Sequence, residues 1–308
     1  MSDAEVTSRV VINLLLIAVG YLIKRIGLIS RDEGRVLNRL VLYVTLPAMN
    51  LKVVSGAELS WAMLALPLLF LVAGIMASIV GRWRGQVLAL SRQDMGTFVV
   101  SFCGVMGALA YPFAEAAFGD EGVRTVAISD LGNAIAIFAF AYYLSFHYSN
   151  KEDFNLRQIL KKVALFFPLH AFLLAMVLNL ASVGLYGLPA GLIDGLAVMN
   201  SPLMLLALGV YLEIDVSRDE GKILMTQLLA KYAVGALVAA FAVTLLPFRG
   251  PTRAMIFLLP LMPTSLSTLL YSVEQELNPR LAAMFISLTM LVSLVITTVT
   301  VLGFRDVF

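Results

Sequence analysis

Charge, cysteine and histidine are all scarce in this chain. Only 14% of its 308 residues are charged, where a soluble domain carries about a quarter. The single cysteine, Cys103, excludes an intramolecular disulfide and any thiolate metal cluster built within the chain. The two histidines, His147 and His170, lie in different segments and no HExxH occurs, so the usual zinc motif is missing. No GxxxxGK[ST] occurs either, which removes ATP hydrolysis of the P-loop kind. A net charge of +2 gives no footprint for nucleic acid. No metal, cofactor or nucleic-acid partner is expected.

What the chain has is apolar sequence: 60% of its residues are hydrophobic and the mean hydropathy is +0.91. That much apolar surface cannot be hidden from water, so the chain belongs in a bilayer. Its apolar runs are continuous and lack the alternation of a β-barrel, which leaves an all-α polytopic membrane protein. At about 20 residues per span, the length allows roughly ten helices. Apolar windows fall near 7–27, 36–55, 61–81, 95–118 and 123–146, then near 160–182, 189–212, 222–247, 253–273 and 279–304. The polar stretch from His147 to Arg157 separates five windows from five. Fifteen lysines and arginines lie in loops after odd-numbered windows and six on the other side, which places the odd loops in the cytoplasm and both termini outside. Arg249 and Arg253 run against this bias in the second half. The acidic start, MSDAEVTSR, is unlike the basic region of a cleaved signal peptide, so the first helix is expected to be retained. Trp61 and Trp83 flank the third window as interfacial anchors.

Two windows carry helix breakers where an ordinary span has none. The stretch 94–119 holds Gly104, Gly107 and Pro112, and the stretch 251–274 holds Pro260 and Pro263. Glycine costs about 1 kcal/mol and proline about 3 kcal/mol in a helix interior. In lipid such backbone survives only inside protein or beside a polar cavity. Interrupted segments at matching places in two halves point to a transporter's binding site. Gly104 and Pro263 correspond at an offset of 159 residues, and Pro47 and Pro202 at 155. Five spans per half force two homologous halves into opposite orientations, an inverted repeat.

Several stretches resemble the auxin efflux carrier family in its compact bacterial form. LNRLVLYVTLPAMNLKVVSG is similar to that family's LNRLVFYVxLPAL, and YPFAEAAFGDEGVRTVAISDLGN to its GxPLxxAxFGxEG with a following aspartate and asparagine, here Asp130 and Asn133. SPLMLLALGVYLE and LMPTSLSTLLYS resemble its PLALLxLGxxL and MPTA motifs. The resemblance implies ten helices in two inverted five-helix repeats, over 1–147 and 159–308, joined by a cytoplasmic linker at 148–158. Helices four and nine would cross as broken helices. Scaffold helices would lie near 7–55 and 160–212, and transport-domain helices near 61–146 and 222–304. It further implies secondary transport of a small organic anion by an elevator-like movement in a bacterial inner membrane, with a homodimer left open. An asparagine that relatives carry seven residues before the proline of span four falls here on Val105.

Around the two breaks, Ser101, Gly104, Val105, Gly107, Pro112, Pro263, Thr264, Ser265 and Ser267 are the candidate substrate-binding positions. Helix ends there attract anions and hydroxyls can hold a carboxylate; the same hydroxyls can instead back-bond their helices. Lys231 stands about nine residues into the eighth window, roughly 13 Å along the axis. A charge that deep is costly and marks function by default. It is a candidate substrate ligand or a fixed cation replacing a coupling ion, against a structural pair with Asp130 or Glu213. Asp130 and Asn133 share a helix face at i, i+3 and are candidates for proton or cation coupling, or a polar knot fastening the broken helices. His170 is a third titratable candidate, or an internally hydrogen-bonded histidine. Sodium coupling, a sensor or channel, and an intramembrane enzyme are the remaining alternatives.

Overall fold

The computed structural model describes residues 3–30, 33–57, 60–149, 157, 164–212 and 221–303. Among them the chain is helical throughout, and its β-type pairing is one isolated bridge. The helices are α1 (Asp3–Arg25), α2 (Gly34–Leu40), α3 (Leu46–Ser55), α4 (Ala65–Val87), α5 (Arg92–Phe102), α6 (Gly107–Ile135) and α7 (Tyr142–Tyr148) in the first half. In the second half they are α8 (Phe167–Leu180), α9 (Gly187–Val198), α10 (Asn200–Tyr211), α11 (Gly221–Leu245), α12 (Gly250–Leu258), α13 (Ser267–Glu274) and α14 (Pro279–Gly303).

Among the described residues, six helical stretches are long and apolar enough to cross a bilayer: α1, α4, Gly107–Tyr148, Gly187–Tyr211, α11 and α14. Three of the four apolar windows outside this set are broken or shortened, whereas the one near 36–55 is helical from residue 34 to 55 and is diluted by Asn38, Arg39, Asn50 and Lys52. The window near 36–55 passes through a π-helical turn at Val41–Thr45 before Pro47. In the window near 160–182, α8 begins at Phe167 with Pro168 in its first turn. The windows near 95–118 and 253–273 are interrupted outright. Gly107–Tyr148 is the reverse case, 42 residues without a gap. A straight helix of that length would run about 63 Å, twice the hydrocarbon thickness. Gly119, at φ 58° and ψ −147°, breaks the helical path and turns the chain back. Of the linker expected at 148–158 only residues 148, 149 and 157 are described, and Glu213 and the side chain of Trp61 also lie outside the described residues. Trp83 is exposed with the Arg84 guanidinium over its ring at 5.4 Å, as an interfacial aromatic should be.

Large apolar side chains such as Leu15, Leu22, Leu68, Leu229, Leu237 and Phe241 are exposed, an outward apolar surface that suits lipid and not water. Inside, small residues let backbones approach. A Cβ at Gly20 would run into the Leu206 carbonyl, and one at Gly209 into that of Ile17, so α1 and α10 lie backbone against backbone. α3 packs on α8 and α9, α4 packs on α5 and α6, and α11 packs on α12, α4 and α14.

Candidate functional site

The first break follows from glycine. α5 is capped by Ser91, whose side chain accepts the Asp94 N–H, and ends at Phe102. Gly104 then takes φ +98°, in the left-handed region. A Cβ on it would also meet Ile137 Cγ1 at 2.5 Å, so glycine is required there twice over. Gly107 restarts the helix with its backbone against the Asp130 carboxylate, where no Cβ fits. The second break follows from proline. α12 tightens into a 3-10 turn at Leu259–Leu261, Met262 is extended, and α13 starts at Ser267.

The two breaks meet. Val105 and Thr264 form an antiparallel bridge, with the Met106 N–H donating to the Pro263 carbonyl at 2.8 Å. The first side is pinned from α6 and the second from α14. The Asn133 amide brackets Val105, accepting its N–H and donating to its carbonyl, both at 2.9 Å. Its Nδ2 also donates to Asp130 Oδ1 at 2.7 Å. On the other side Thr289 Oγ1 accepts the Thr264 N–H at 3.0 Å, and Ser293 Oγ donates to the Leu261 carbonyl at 2.7 Å. Thr264 Oγ1 donates to the Ser101 carbonyl at 3.2 Å, and buried Gln227 donates to Thr264 Oγ1 at 3.2 Å and Ser101 Oγ at 3.4 Å. These groups of the interrupted backbone thus find partners within the protein, as lipid demands.

The sequence-derived residues divide between the crossing and other places. Ser101, Gly104, Val105, Gly107, Pro263, Thr264, Ser265, Asp130 and Asn133 lie at the crossing. Ser101 back-bonds the Phe98 carbonyl at 2.7 Å, and Ser265 Oγ accepts the half-buried Ser267's N–H at 3.3 Å. Pro112 lies further along α6, its carbonyl accepting from Asn13 of α1 at 3.0 Å. His170 is exposed on α8 with Nδ1 3.1 Å from the Phe166 carbonyl, and it joins no part of the crossing. Lys231 lines a cavity of about 40 Å³ together with Gly104, Val105, Asn133 and Pro260. Asp130 Oδ1 accepts from Asn133, its carboxylate lies close to Gly107, and it forms no ion pair with Lys231.

The structure adds Gln227, Thr289 and Ser293 to these. Gln227 stands four residues before Lys231, and Thr289 four before Ser293, so each pair shares one helix face. Polar residues recurring at that spacing in an apolar window were a readable signal. A second polar group lies where α6 meets α1, α3 and α10. Ser201 hydrogen-bonds Glu115, Tyr111 OH lies 3.5 Å from Asn50 Oδ1, and Thr45 donates to buried Asn200 at 2.9 Å.

Among known proteins, the family model for "Membrane transport protein" matches residues 5–301. The chain belongs to this family, that of the auxin efflux carriers. An uncharacterized transporter of Methanocaldococcus jannaschii is 26% identical over 299 residues, covering 93% of this chain and 95% of that protein. An uncharacterized transporter of Methanothermobacter thermautotrophicus is 26% identical over 294 residues, with 94% and 95% covered. As a member of the carrier family the chain is a multi-pass membrane transporter and not an enzyme.

Proposed function

We propose that this transporter carries small organic anions such as carboxylates by secondary active transport, as efflux or exchange, with the substrate held at the crossing. The observation that carries this reading is the backbone pairing of Val105 with Thr264. It gathers two interrupted helices at one point, and α6 and α13 both start beside it, at Gly107 and Ser267. Helix starts present free N–H groups and partial positive charge to an anion. The hydroxyls of Ser265 and Ser267 stand at the start of α13.

Ten spans in two inverted repeats belong to the same proposal. Val105 and Thr264 are separated by the 159-residue offset that relates the two breaks, and Thr45 and Asn200 by the 155-residue offset that relates the two proline-bearing spans. Residues in contact with their own counterparts are what a two-fold axis between halves requires. The packing of α1–α3 with α8–α10 supports a scaffold, and that of α4–α7 with α11–α14 a moving transport domain. Asp130, a carboxyl beside the crossing, is the group proposed to carry a coupled proton. The lysine and arginine bias supports termini on the outer side of a bacterial inner membrane.

Proteoliposome uptake of labelled mono- and dicarboxylates tests the reading. Saturable flux with counter-exchange is expected. Flux that never saturates, or none with any carboxylate, would overturn it.

A further inference from the structure

We infer that the Lys231 ammonium is a built-in cation, occupying at the C-terminal ends of the two inbound half-helices the place a free monovalent cation would otherwise fill. The inference rests on the crossing being the transport site and narrows it: Lys231 serves the helix ends and leaves the substrate to Gly107, Ser265 and Ser267.

Four observations carry it. α5 and α12 both run into the crossing and end there, at Phe102 and, through the 3-10 turn, at Leu261. Each such end carries about half a negative charge, and half-helix C-termini with unwound carbonyls are what transporters use to coordinate coupling cations. Lys231 is 5% exposed and lines the cavity with Phe102, Gly104 and Pro260, from the last turns of those two half-helices. Gly235, one turn on along the same face of α11, sits against the Pro260 carbonyl, which a Cβ would meet at 2.5 Å.

Third, Lys231 has no hydrogen-bond or ion-pair partner among the described residues. The two ionisable groups nearby are already committed: the Cys103 thiol donates to the Ala136 carbonyl at 3.3 Å, and Asp130 holds Asn133 at the Gly107 end. An ammonium buried in this way is expensive unless fixed dipoles compensate it, and the two helix ends face the same cavity without a hydrogen bond to the ammonium. Fourth, the cavity of about 40 Å³ has room for a few waters or a small ion beside the lysine.

The test is thermal unfolding of the purified full chain in sodium chloride, methylammonium chloride and choline chloride at equal ionic strength. The native protein should unfold at the same temperature in all three. Lys231→Ala vacates the position and should be stabilised by about 3 °C or more in sodium or methylammonium over choline, saturably. Lys231→Met fills the space without charge and should lose stability with no recovery in any salt, whereas Lys231→Arg should follow the native protein. Where Lys231→Ala cannot be purified in choline, recovery of folded protein in methylammonium alone supports the assignment. Failure in all three salts, equal Tm of Lys231→Ala in all three, or sodium stabilisation of the native protein overturns it. Acetate and succinate, added as probes, should stabilise the native protein and Lys231→Met alike; loss of that response in Lys231→Met would return the lysine to the substrate and overturn the inference. If neither probe affects the native protein, the organic-anion reading fails while the cation comparison stands on its own.

Discussion

The two breaks perform one task with different chemistry. The first is made by glycines and held by an amide, with Asn133 serving both the N–H and the carbonyl of Val105. The second is made by prolines and held by hydroxyls, with Thr289 serving one N–H of Thr264 and Ser293 one carbonyl of Leu261. Proline brings no N–H to satisfy, so the second break has fewer groups to support and divides them among more side chains. A break built on glycine concentrates its risk in a few positions. One built on proline spreads it.

The largest expected effect that sharpens this contrast comes from Gly104→Val. It places a side chain at positive φ against Ile137 and should cost about 4 kcal/mol, seen as loss of monodisperse protein in detergent. Pro263→Ala at the matching position should cost about 1 kcal/mol, and equal losses at the two sites would break the comparison. Next comes Asn133→Leu, which orphans the Val105 N–H and leaves its carbonyl with the Gly107 N–H alone, and should cost about 1–3 kcal/mol, read as a fall in Tm. Thr289→Val removes one acceptor and should cost about 1–2 kcal/mol. Hydrogen exchange should accelerate at Val105 in the first variant and at Thr264 in the second; acceleration at both amides in either variant would show that the breaks are not held separately. Smallest in stability is Asp130→Asn, expected to shift it by less than about 1 kcal/mol, because an amide oxygen can still accept from Asn133. Its effect belongs in flux: proteoliposome uptake should lose its dependence on external pH, and a retained dependence would remove Asp130 as the proton carrier.

Much of this was legible in the sequence, because breakers in an apolar window are conspicuous. Gly104 and Pro263 marked both interruptions, and the i, i+3 spacing of Asp130 and Asn133 put their polar groups on one face. Lys231 was conspicuous by depth alone. The meeting of Val105 with Thr264 left no local trace, since a pair 159 residues apart has no periodicity to betray it. The same holds for Thr45 with Asn200, and for Glu115 with Ser201. His170 was misleading for another reason. α8 is apolar around its whole circumference, so no hydrophobic face indicated whether its histidine looked inward, and it is exposed. The ten expected windows exceeded the six long apolar helical stretches among the described residues, because glycine and proline interrupt or shorten three windows, while Asn38, Arg39, Asn50 and Lys52 dilute the one near 36–55.

The hydrogen bond from Met106 to Pro263 also bears on how the chain is made. Synthesis proceeds from the N-terminus, and for the whole interval between residues 106 and 263 the first half waits with an amide that lipid cannot satisfy. The first half therefore depends on the second for this hydrogen bond. A first half expressed alone should be short-lived in the membrane, and supplying the second half as a separate chain should rescue it.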